Sequence, residues 1–515
     1  MRQSLFIIPI LLITLLWCSC RKDFQYETSS GNLEFSKDTV YLDTVFTNIG
    51  SSTYSLKVYN RSNNDIQIPN VRLAQGSNSS YRLNVDGVAG KEFENVPLMA
   101  KDSLFIFIET TFDISAINQN EFLYTDAILF DEGPKQQEVQ LVTLIKDAIF
   151  LYPAENADGT KETLLLGLDK DGNEIRIEGF LLTDEQLSFS NVKPYVIYGY
   201  AGVASEKTLS IAAGSRLHFH KDSGILIGDG ASLSVNGTLS MDTLLLENEV
   251  IFEGDRLEPE FSTVPGQWGS VWLAPGSINN TINHLTIRNS SVGLLVEGNP
   301  DLNPPKLSIS NSQIYNSLAI NIWAKSSSIT GENMVLGNAG NGSLVCENGG
   351  NYSFLHSTIA NYWSNGFRTG AALQISNNNL YGDTSASGQD LTASFINCII
   401  DGNTFLELSL NSNETNSFDF SFTNCLIKFK DTNNQFDSDP LYDFDNDTYY
   451  SNVFLNEDTD FLNTAKNDFR LGNSSSAIDK ADPATALLVP LDILGTDRTS
   501  EPDIGAYEFI VVEQN

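Results

Sequence analysis

Ile287-Arg288-Asn289-Ser290 is the first copy of a four-residue phrase that recurs along residues 282–430: an apolar residue, any residue, Asn or Gly, and then a polar residue. The apolar first residues of the copies are 27, 21, 24, 41 and 27 positions apart. Repeats of roughly 20 to 50 residues are typical of solenoids, so the spacing predicts a coil of strands with one enlarged loop. The later copies are Ile314-Tyr315-Asn316-Ser317, Val335-Leu336-Gly337-Asn338, Ile359-Ala360-Asn361-Tyr362, Ile400-Asp401-Gly402-Asn403 and the degenerate Ile427-Lys428-Phe429-Lys430.

Residues of equal phase in such a coil stack above one another, about 4.8 Å apart, because successive turns pair as parallel strands. The apolar first residues should then form an interior wall of β-branched side chains. Two positions later stand Asn289, Asn316, Gly337, Asn361, Gly402 and Phe429. Asn and Gly tolerate the left-handed backbone of a tight corner, and stacked amides hydrogen-bond along the stack. The alternative for these Asn side chains is ligand binding at the surface.

Two further segments carry a resemblance to known proteins. Lys193-Pro194-Tyr195, Ala213-Gly214-Ser215 and Gly266-Gln267-Trp268-Gly269, with residues 218–221, resemble the right-handed parallel β-helix of exported bacterial lipoproteins. The ending at residues 502–509, PDIGAYEF, is similar to that of secreted proteins of the pectate-lyase-like β-helix type. The resemblance implies a right-handed parallel β-helix over residues 198–436, a transitional or capping segment at 149–197 and a C-terminal cap or extension at 437–515.

The first part of the chain has a different pattern. Between Leu33 and Asp147 lie seven short alternating segments, such as Tyr54-Ser55-Leu56-Lys57-Val58-Tyr59, separated by turn residues. Seven such strands predict a two-sheet β-sandwich over residues 20–148. The pattern of residues 44–68 resembles the immunoglobulin-like domains of exported bacterial proteins. The whole chain is therefore expected to be all-β, with the sandwich acting as a spacer.

The N-terminus indicates export. Leu5 to Trp17 is an apolar run of 13 residues, too short to span a bilayer but suited to a signal peptide. Ser19-Cys20 resembles a bacterial lipoprotein signal, which implies removal of residues 1–19 and a lipid on Cys20; a plain secretory signal is the alternative. The resemblance implies a bilayer partner and a cell-envelope location in the outer membrane, facing the periplasm or the surface.

Charge and cysteine content limit the functions further. The 515-residue chain has a formal net charge of −35, which repels nucleic acid. The cysteines beyond the signal region are Cys346, Cys398 and Cys425, too few to organise the fold by disulfides. Cys398 and Cys425 lie two residues before Ile400 and Ile427, so they should point inward on neighbouring turns, either as stacked free thiols or as a bridge.

Enzymes on this kind of coil include lyases and hydrolases of acidic polysaccharides. No cluster of basic residues suited to uronate elimination is evident in residues 282–430. Hydrolysis needs two carboxyl groups about 5 to 9.5 Å apart. The best candidates for catalytic acids are Asp383, Asp390 and Asp401, the first two of which lie in the insertion between Ala371 and Leu391.

Metal sites are incomplete in the sequence. Asp443, Asp445 and Asp447 imitate the first ligands of a calcium loop, but Thr448 and Phe454 replace its glycine and its closing glutamate. His218 and His220 would project from one face of a strand without a third ligand. Calcium is the one cofactor that the sequence leaves open.

Aromatic residues offer a route to carbohydrate, because sugar faces stack on exposed rings. The candidates for ligand binding are Trp323, Tyr352, Tyr362, Trp363 and Phe367, all on the middle turns. The sequence thus favours a non-catalytic lipoprotein whose coil binds or scaffolds a glycan or a cell-envelope protein. A polysaccharide lyase or glycoside hydrolase is the alternative.

Overall fold

The structure is a computed structural model that describes residues 25–115, 117, 119–381 and 388–511. The signal segment, Cys20 and Asp383 lie outside these residues. The chain forms two compact units, residues 1–147 and 148–515. The described residues are almost entirely strands and turns, which confirms the all-β class. Among them, no helix has the length and apolar character needed to cross a membrane.

The first unit is built from two sheets. One has the order β1-β5-β10-β11-β3, with β8 also paired to β5, and the other has the order β2-β4-β9-β6-β7. Most neighbours are antiparallel; β1–β5 and β11–β3 are parallel. The strands are β1 Glu27–Thr28, β2 Glu34–Phe35, β3 Thr39–Phe46, β4 Tyr54–Tyr59, β5 Ile66–Leu73, β6 Tyr81–Val85, β7 Val88–Gly90, β8 Glu92–Leu98, β9 Ser103–Thr110, β10 Glu121–Phe130 and β11 Gln137–Lys146.

The core of this unit follows from strict alternation along its strands. In β9, Leu104, Ile106 and Ile108 are buried, whereas Phe105 and Phe107 point to solvent. The inward residues of both sheets join one apolar cluster. Successive strand residues face opposite sides, so the register fixes which side chains remain outside.

The second unit is a parallel β-helix. From β14 to β24, each strand pairs in parallel with the strand three places further along, which makes three strands per turn. Its handedness stays a prediction. The strands in this first stretch are β12 Ile149–Leu151, β13 Thr163–Leu168, β14 Glu174–Leu181, β15 Ser188–Phe189, β16 Tyr195–Ile197, β17 Tyr200–Val203, β18 Thr208–Ala212, β19 Arg216–Phe219, β20 Gly224–Ile227, β21 Ser232–Asn236, β22 Val250–Gly254, β23 Val271–Leu273, β24 Asn280–Asn283, β25 Leu285–Arg288 and β26 Val292–Glu297.

Later strands are longer because they continue through the corners of the coil. Parallel pairing extends from Ile149 to Leu455, beyond both ends of the range 198–436. The remaining strands of the coil are β27 Leu307–Ser317, β28 Ile320–Ala339, β29 Gly342–Leu355, β30 Thr358–Asn361, β31 Leu373–Ser376, β32 Leu391–Ile396, β33 Ile399–Gly402, β34 Leu408–Asn411, β35 Phe418–Thr423, β36 Leu426–Ile427, β37 Tyr450–Ser451 and β38 Phe454–Leu455.

The predicted column of apolar residues exists, with one correction. Ile287 pairs with Ile314, and Ile359, Ile400 and Ile427 follow in register. The residue between Ile314 and Ile359 is Leu336, so the prediction of Val335 was one residue out of register. Val335 is buried on the outer side instead, against Phe469 of the C-terminal segment. Asn338, at φ 53°, is thus the counterpart of the left-handed Asn289 and Asn316, and Gly337 is not.

A second corner has its own column, three residues before each apolar position. All seven members have left-handed backbone: His284, Asn311, Asn333, His356, Asn397, Asn424 and Asn452. The amide of Asn333 donates to Asn311 Oδ1 at 2.9 Å, and that of Asn311 donates to Asn283 Oδ1 at 3.0 Å. Because Asn adopts this conformation at low cost, the recurring Asn-x-x-apolar spacing sets the corner. Cys398 and Cys425 follow it directly and lie inside the coil as free thiols.

Aromatic side chains cover the last turn of the coil. The Tyr442 hydroxyl accepts from the Leu410 N–H at 2.7 Å and donates to the Leu410 carbonyl at 3.3 Å. These contacts satisfy backbone groups of β34, which would otherwise be available for edge pairing. Tyr442 stacks on Phe429 at 4.7 Å and packs on Phe436 at 4.6 Å. The segment after β36 therefore closes this end.

Residues 456–511, called the tail here, pack on the outer face of the coil. The tail contains β39 Phe461–Asn463, β40 Asp468–Leu471 and the short helix α1 Pro483–Ala486. Gly505 N donates to the Asn397 carbonyl at 2.9 Å, and Ala506 N donates to Thr358 Oγ1 at 3.1 Å. Hence the PDIGAYEF ending ties the tail to the side of the coil.

Candidate functional site

A cleft runs between the tail and the coil and consists of two neighbouring pockets that share Tyr315 and Asn467. We call it the tail cleft. The larger pocket has a volume of about 370 Å³ and the smaller one about 190 Å³. Both lie wholly within the second unit. Pocket sizes of this order suit a small ligand or one or two sugar units of a chain.

Three elements form the larger pocket: the coil face at Thr286, Gln313 and Tyr315, the loop at 239–249, and the tail. The loop is held by Arg216, whose guanidinium donates to the Leu246 and Glu249 carbonyls, each at 2.6 Å. The wall that this loop gives to the larger pocket is therefore held in place by hydrogen bonds from Arg216 of the coil.

The smaller pocket is lined by amides, hydroxyls and two aromatic rings. Its lining includes Asn316, Asn338, Asn365, Asn467, Ser262, Thr263, Ser364, Tyr315 and Trp363. Asn338 Nδ2 donates to Asn467 Oδ1 at 2.7 Å and to the Thr464 carbonyl at 3.1 Å, which joins coil and tail across the pocket. Asn316 Nδ2 donates to Asn289 Oδ1 at 2.5 Å. The corner amides thus both bond along the coil and line a pocket, and ligand binding by them stays a prediction.

The larger pocket contains carboxyl groups in unlike surroundings. Glu249 is only 8% exposed, and burial raises its pKa; Thr286 Oγ1 donates to Oε2 at 3.4 Å. Asp468 is held by Arg470 through bonds of 2.7 and 2.8 Å, and this guanidinium lowers the pKa of Asp468. Lys466 lies at the same wall. The lining of the pocket therefore includes one carboxyl whose pKa is raised by burial and one whose pKa is lowered by an ion pair.

The predicted catalytic acids do not meet in this cleft. Asp401 is buried and accepts from the hydroxyls of Tyr362 at 2.7 Å and Thr459 at 2.6 Å, with Lys428 Nζ at 3.6 Å. Its contacts fix the tail to the coil. Asp390 is exposed and accepts from Ser417 N at 2.8 Å. Asp383 lies outside the described residues.

The predicted aromatic residues are dispersed. Trp363 lines the smaller pocket, and Phe367 is fully exposed on the loop that follows. Tyr362 packs against Phe461 and Phe469 of the tail. Trp323 lies on another face, with its indole N–H donating to Glu347 at 2.9 Å. The prediction for Tyr352 was wrong: this ring is 1% exposed inside the coil and cannot stack on a sugar.

The metal candidates are also separated. Asp443, Asp445 and Asp447 are exposed in the end-capping segment, where Asp443 Oδ1 accepts from Asp445 N. In the described part of the chain, no three His, Cys, Asp or Glu side chains are arranged to hold a metal ion. His218 is buried and packs near Glu253, whereas His220 is half exposed and bonds Asp255 at 2.7 Å.

The His220–Asp255 contact gives a pH dependence. The hydrogen bond to Asp255 raises the pKa of His220 above 6.5, so the contact stabilises the fold fully below pH 6.5 and is lost as pH rises through the folded-state value. We expect His220→Gln to lower the melting temperature more at pH 6 than at pH 9, where the stacking of the imidazole on Tyr198, with ring centroids 4.5 Å apart, is lost without the charge contribution. Because the side chain is half exposed, the effect should stay below about 1 kcal/mol. Equal shifts at both pH values would contradict this assignment.

Sequence reasoning missed most of the cleft. Glu249, Asn365 and Asn467 belong to no repeat, and the two pockets that they line form only where the tail packs on the coil. One signal was present: Asp468-Phe469-Arg470-Leu471 alternates like a strand and carries an acid and a base on one side. That alternation could have indicated that a charged strand edge faces outward from the tail.

Comparisons with known proteins assign neither a family nor a function to the chain. No protein-family model and no curated protein matches the chain. Among the solved structures that match parts of it, the ASH/PapD-like domain 7 of human CEP192 has 10% identity and a TM-score of 0.16, over 23% of this chain and 86% of that one. A family 123 glycoside hydrolase from Clostridium perfringens has 9% identity and a TM-score of 0.16, over 24% of this chain and 30% of that one. The periplasmic chaperone SfaE has 12% identity and a TM-score of 0.15, over 22% of this chain and 57% of that one. Each covers less than a quarter of this chain, so function must be inferred from the cleft.

Proposed function

We propose that this protein binds a glycan in the tail cleft, as a non-catalytic component of the cell envelope. The observation that carries the proposal is the lining of the smaller pocket, where four Asn amides, three hydroxyl side chains and the rings of Trp363 and Tyr315 meet. Amides and hydroxyls can both donate and accept, as sugar hydroxyls require, and aromatic rings stack on the apolar faces of pyranoses.

The donor and acceptor groups support this chemistry further. The indole N–H of Trp363 has no acceptor within the described residues, although the side chain is only 6% exposed. This N–H is therefore a donor that a ligand oxygen in the smaller pocket can accept from. The export signal and Cys20 support a lipid-anchored location in the outer membrane, facing the periplasm or the surface, where glycans and other envelope components are available as partners.

Hydrolysis of the bound glycan is a second candidate function, favoured by the unlike carboxyl groups of Glu249 and Asp468. In this alternative Glu249 is the general acid that gives a proton to the leaving glycosidic oxygen, and Asp468 is the general base that accepts a proton from the attacking water. New reducing ends in the presence of the protein, abolished by Glu249→Gln, would replace the non-catalytic proposal with this one.

Binding in the cleft is tested with Trp363→Ala and Asn365→Ala on a glycan array followed by calorimetry. We expect each change to weaken binding by tenfold or more, since each removes a side chain that lines the smaller pocket. Asn365 is exposed, so its variant should fold normally. Phe367→Ala is the control, because this ring is exposed but lines neither pocket. Loss of binding with Phe367→Ala alone would place the site elsewhere.

A further inference from the structure

The outer face of the first unit carries aromatic rings where polar residues belong. Strand β9 alternates buried and exposed residues, and its solvent-facing positions include Phe105 and Phe107, which are 46% and 45% exposed. A one-sided sheet normally shows polar side chains to water. Two neighbouring exposed Phe residues therefore indicate a surface that is covered when the protein acts.

The two rings form a parallel pair. Their centroids are 6.2 Å apart and their planes differ by only 9°. The register places Ser55 and Asn84 on either side of Phe107, in the neighbouring strands β4 and β6. Hydrogen-bonding side chains thus flank the ring pair on both sides, on a continuous sheet.

Cations lie over the aromatic rings of this face. Lys57 Nζ is 4.9 Å from the centre of the Phe105 ring and 5.6 Å from that of Tyr59. The Arg61 guanidinium is 4.2 Å above Tyr59 and pairs with Glu34 at 2.9 Å. No acidic side chain among the described residues pairs with Lys57. On a chain with a formal charge of −35, an unpaired ammonium beside exposed rings is complementary to an anion.

We propose that this face, comprising Ser55, Lys57, Tyr59, Asn84, Phe105 and Phe107 and called the aromatic face here, binds an acidic glycan. The apolar side of a pyranose stacks on Phe105 and Phe107, and its carboxylate or sulfate group pairs with Lys57. Ser55 and Asn84 bond the ring hydroxyls. This site lies in the first unit and does not depend on the tail cleft.

The shape and charge of the face favour a glycan over the other occupants. Binding hot spots of protein partners are anchor residues that fill pockets, whereas here two parallel rings stand on an open sheet face. A second copy of the chain would bring another large negative charge to the interface. Contact between the apolar side of a sugar and these exposed rings requires no pocket, and the anionic group of the sugar pairs with the Lys57 ammonium.

The test uses the full-length protein with hyaluronan tetrasaccharide as the acidic probe and cellotetraose as the neutral probe, measured by calorimetry. We expect Phe105→Thr/Phe107→Thr to weaken hyaluronan binding by tenfold or more. Lys57→Gln should weaken it about threefold to tenfold and remove most of its dependence on salt. Leu123→Thr is the matched control, because Leu123 is an equally exposed apolar strand residue of the other sheet, and it should leave binding unchanged.

Every other outcome overturns the proposal. Unchanged hyaluronan binding in the double Phe variant, equal affinity for both probes, or absence of binding by the wild type would each contradict it. Concentration-dependent dimers that the double Phe variant abolishes would show that a second copy covers the face. Trp363→Ala is included so that failure of one proposed site can be distinguished from failure of the other. This variant should weaken binding in the tail cleft and leave binding at the aromatic face unchanged.

Discussion

Replacing Arg498 by methionine is expected to lower the free energy of unfolding of the second unit by about 3 to 5 kcal/mol. Arg498 is 1% exposed, donates to the Gly505 and Ala506 carbonyls, and lies 3.4 Å from Glu508. Burial and the neighbouring Asp503 raise the pKa of Glu508 to about 8. Methionine would leave the buried Gly505 and Ala506 carbonyls without their donor and the acid cluster around Asp503 without its neighbouring cation, which costs far more than the loss of a surface pair. Urea unfolding measures the change.

Arg470→Met is the control for this prediction. Its ion pair with Asp468 is well exposed, at 50% and 26% of the two side chains, and should contribute under about 1 kcal/mol. Similar losses for the two variants would contradict the assignment of Arg498 as the charge that holds the tail.

Gly337→Leu should displace the tail from the coil while the interior of the coil stays intact. A Cβ at Gly337 would overlap the ring of Phe469, which packs directly on the outer side of β28. Overpacking of this kind costs about 1 to 3 kcal/mol, and the cost falls on the contact between tail and coil. We expect faster proteolysis within residues 456–511 and loss of glycan binding in the tail cleft, with little change in far-UV circular dichroism.

Thr281→Leu provides the comparison for Gly337→Leu. Thr281 points outward on β24 and is exposed, so a leucine there adds the same side chain to the coil surface without meeting the tail contact at Phe469. If Thr281→Leu released the tail as readily as Gly337→Leu, overlap with Phe469 would not be the cause of the release.

The coil could be predicted from the sequence because its geometry repeats. Equal-phase residues face equal surroundings, so the column of Ile287, Ile314, Ile359, Ile400 and Ile427 is evident from spacing alone. The error at Val335 arose because Val335-Leu336-Gly337-Asn338 matches the phrase fully, whereas the copy that starts at the adjacent Leu336 ends in the apolar Ala339. Only the outer contact with Phe469 distinguishes Val335 from Leu336, and that contact comes from the tail.

The cleft could not be predicted in the same way, since its residues share no period. Asn338 meets Asn467 across 129 positions of sequence, and the acids of the larger pocket come from a loop and from the tail. Two residues predicted to act at the surface are buried in the structure. Tyr352 lies inside the coil, and Asp401 accepts a hydrogen bond from Thr459 of the tail. Such roles depend on how the tail packs, for which the repeat carries no information.

Hydrogen exchange of the full-length protein with and without its glycan, selected from the array, tests the central claim most directly. The account predicts that the glycan slows exchange at residues 315–316, 363–365 and 465–468, the coil and tail segments that line the two pockets. Protection confined to the neighbourhood of the 372–391 insertion, with these three segments unchanged, would contradict the assignment of the tail cleft as the binding site.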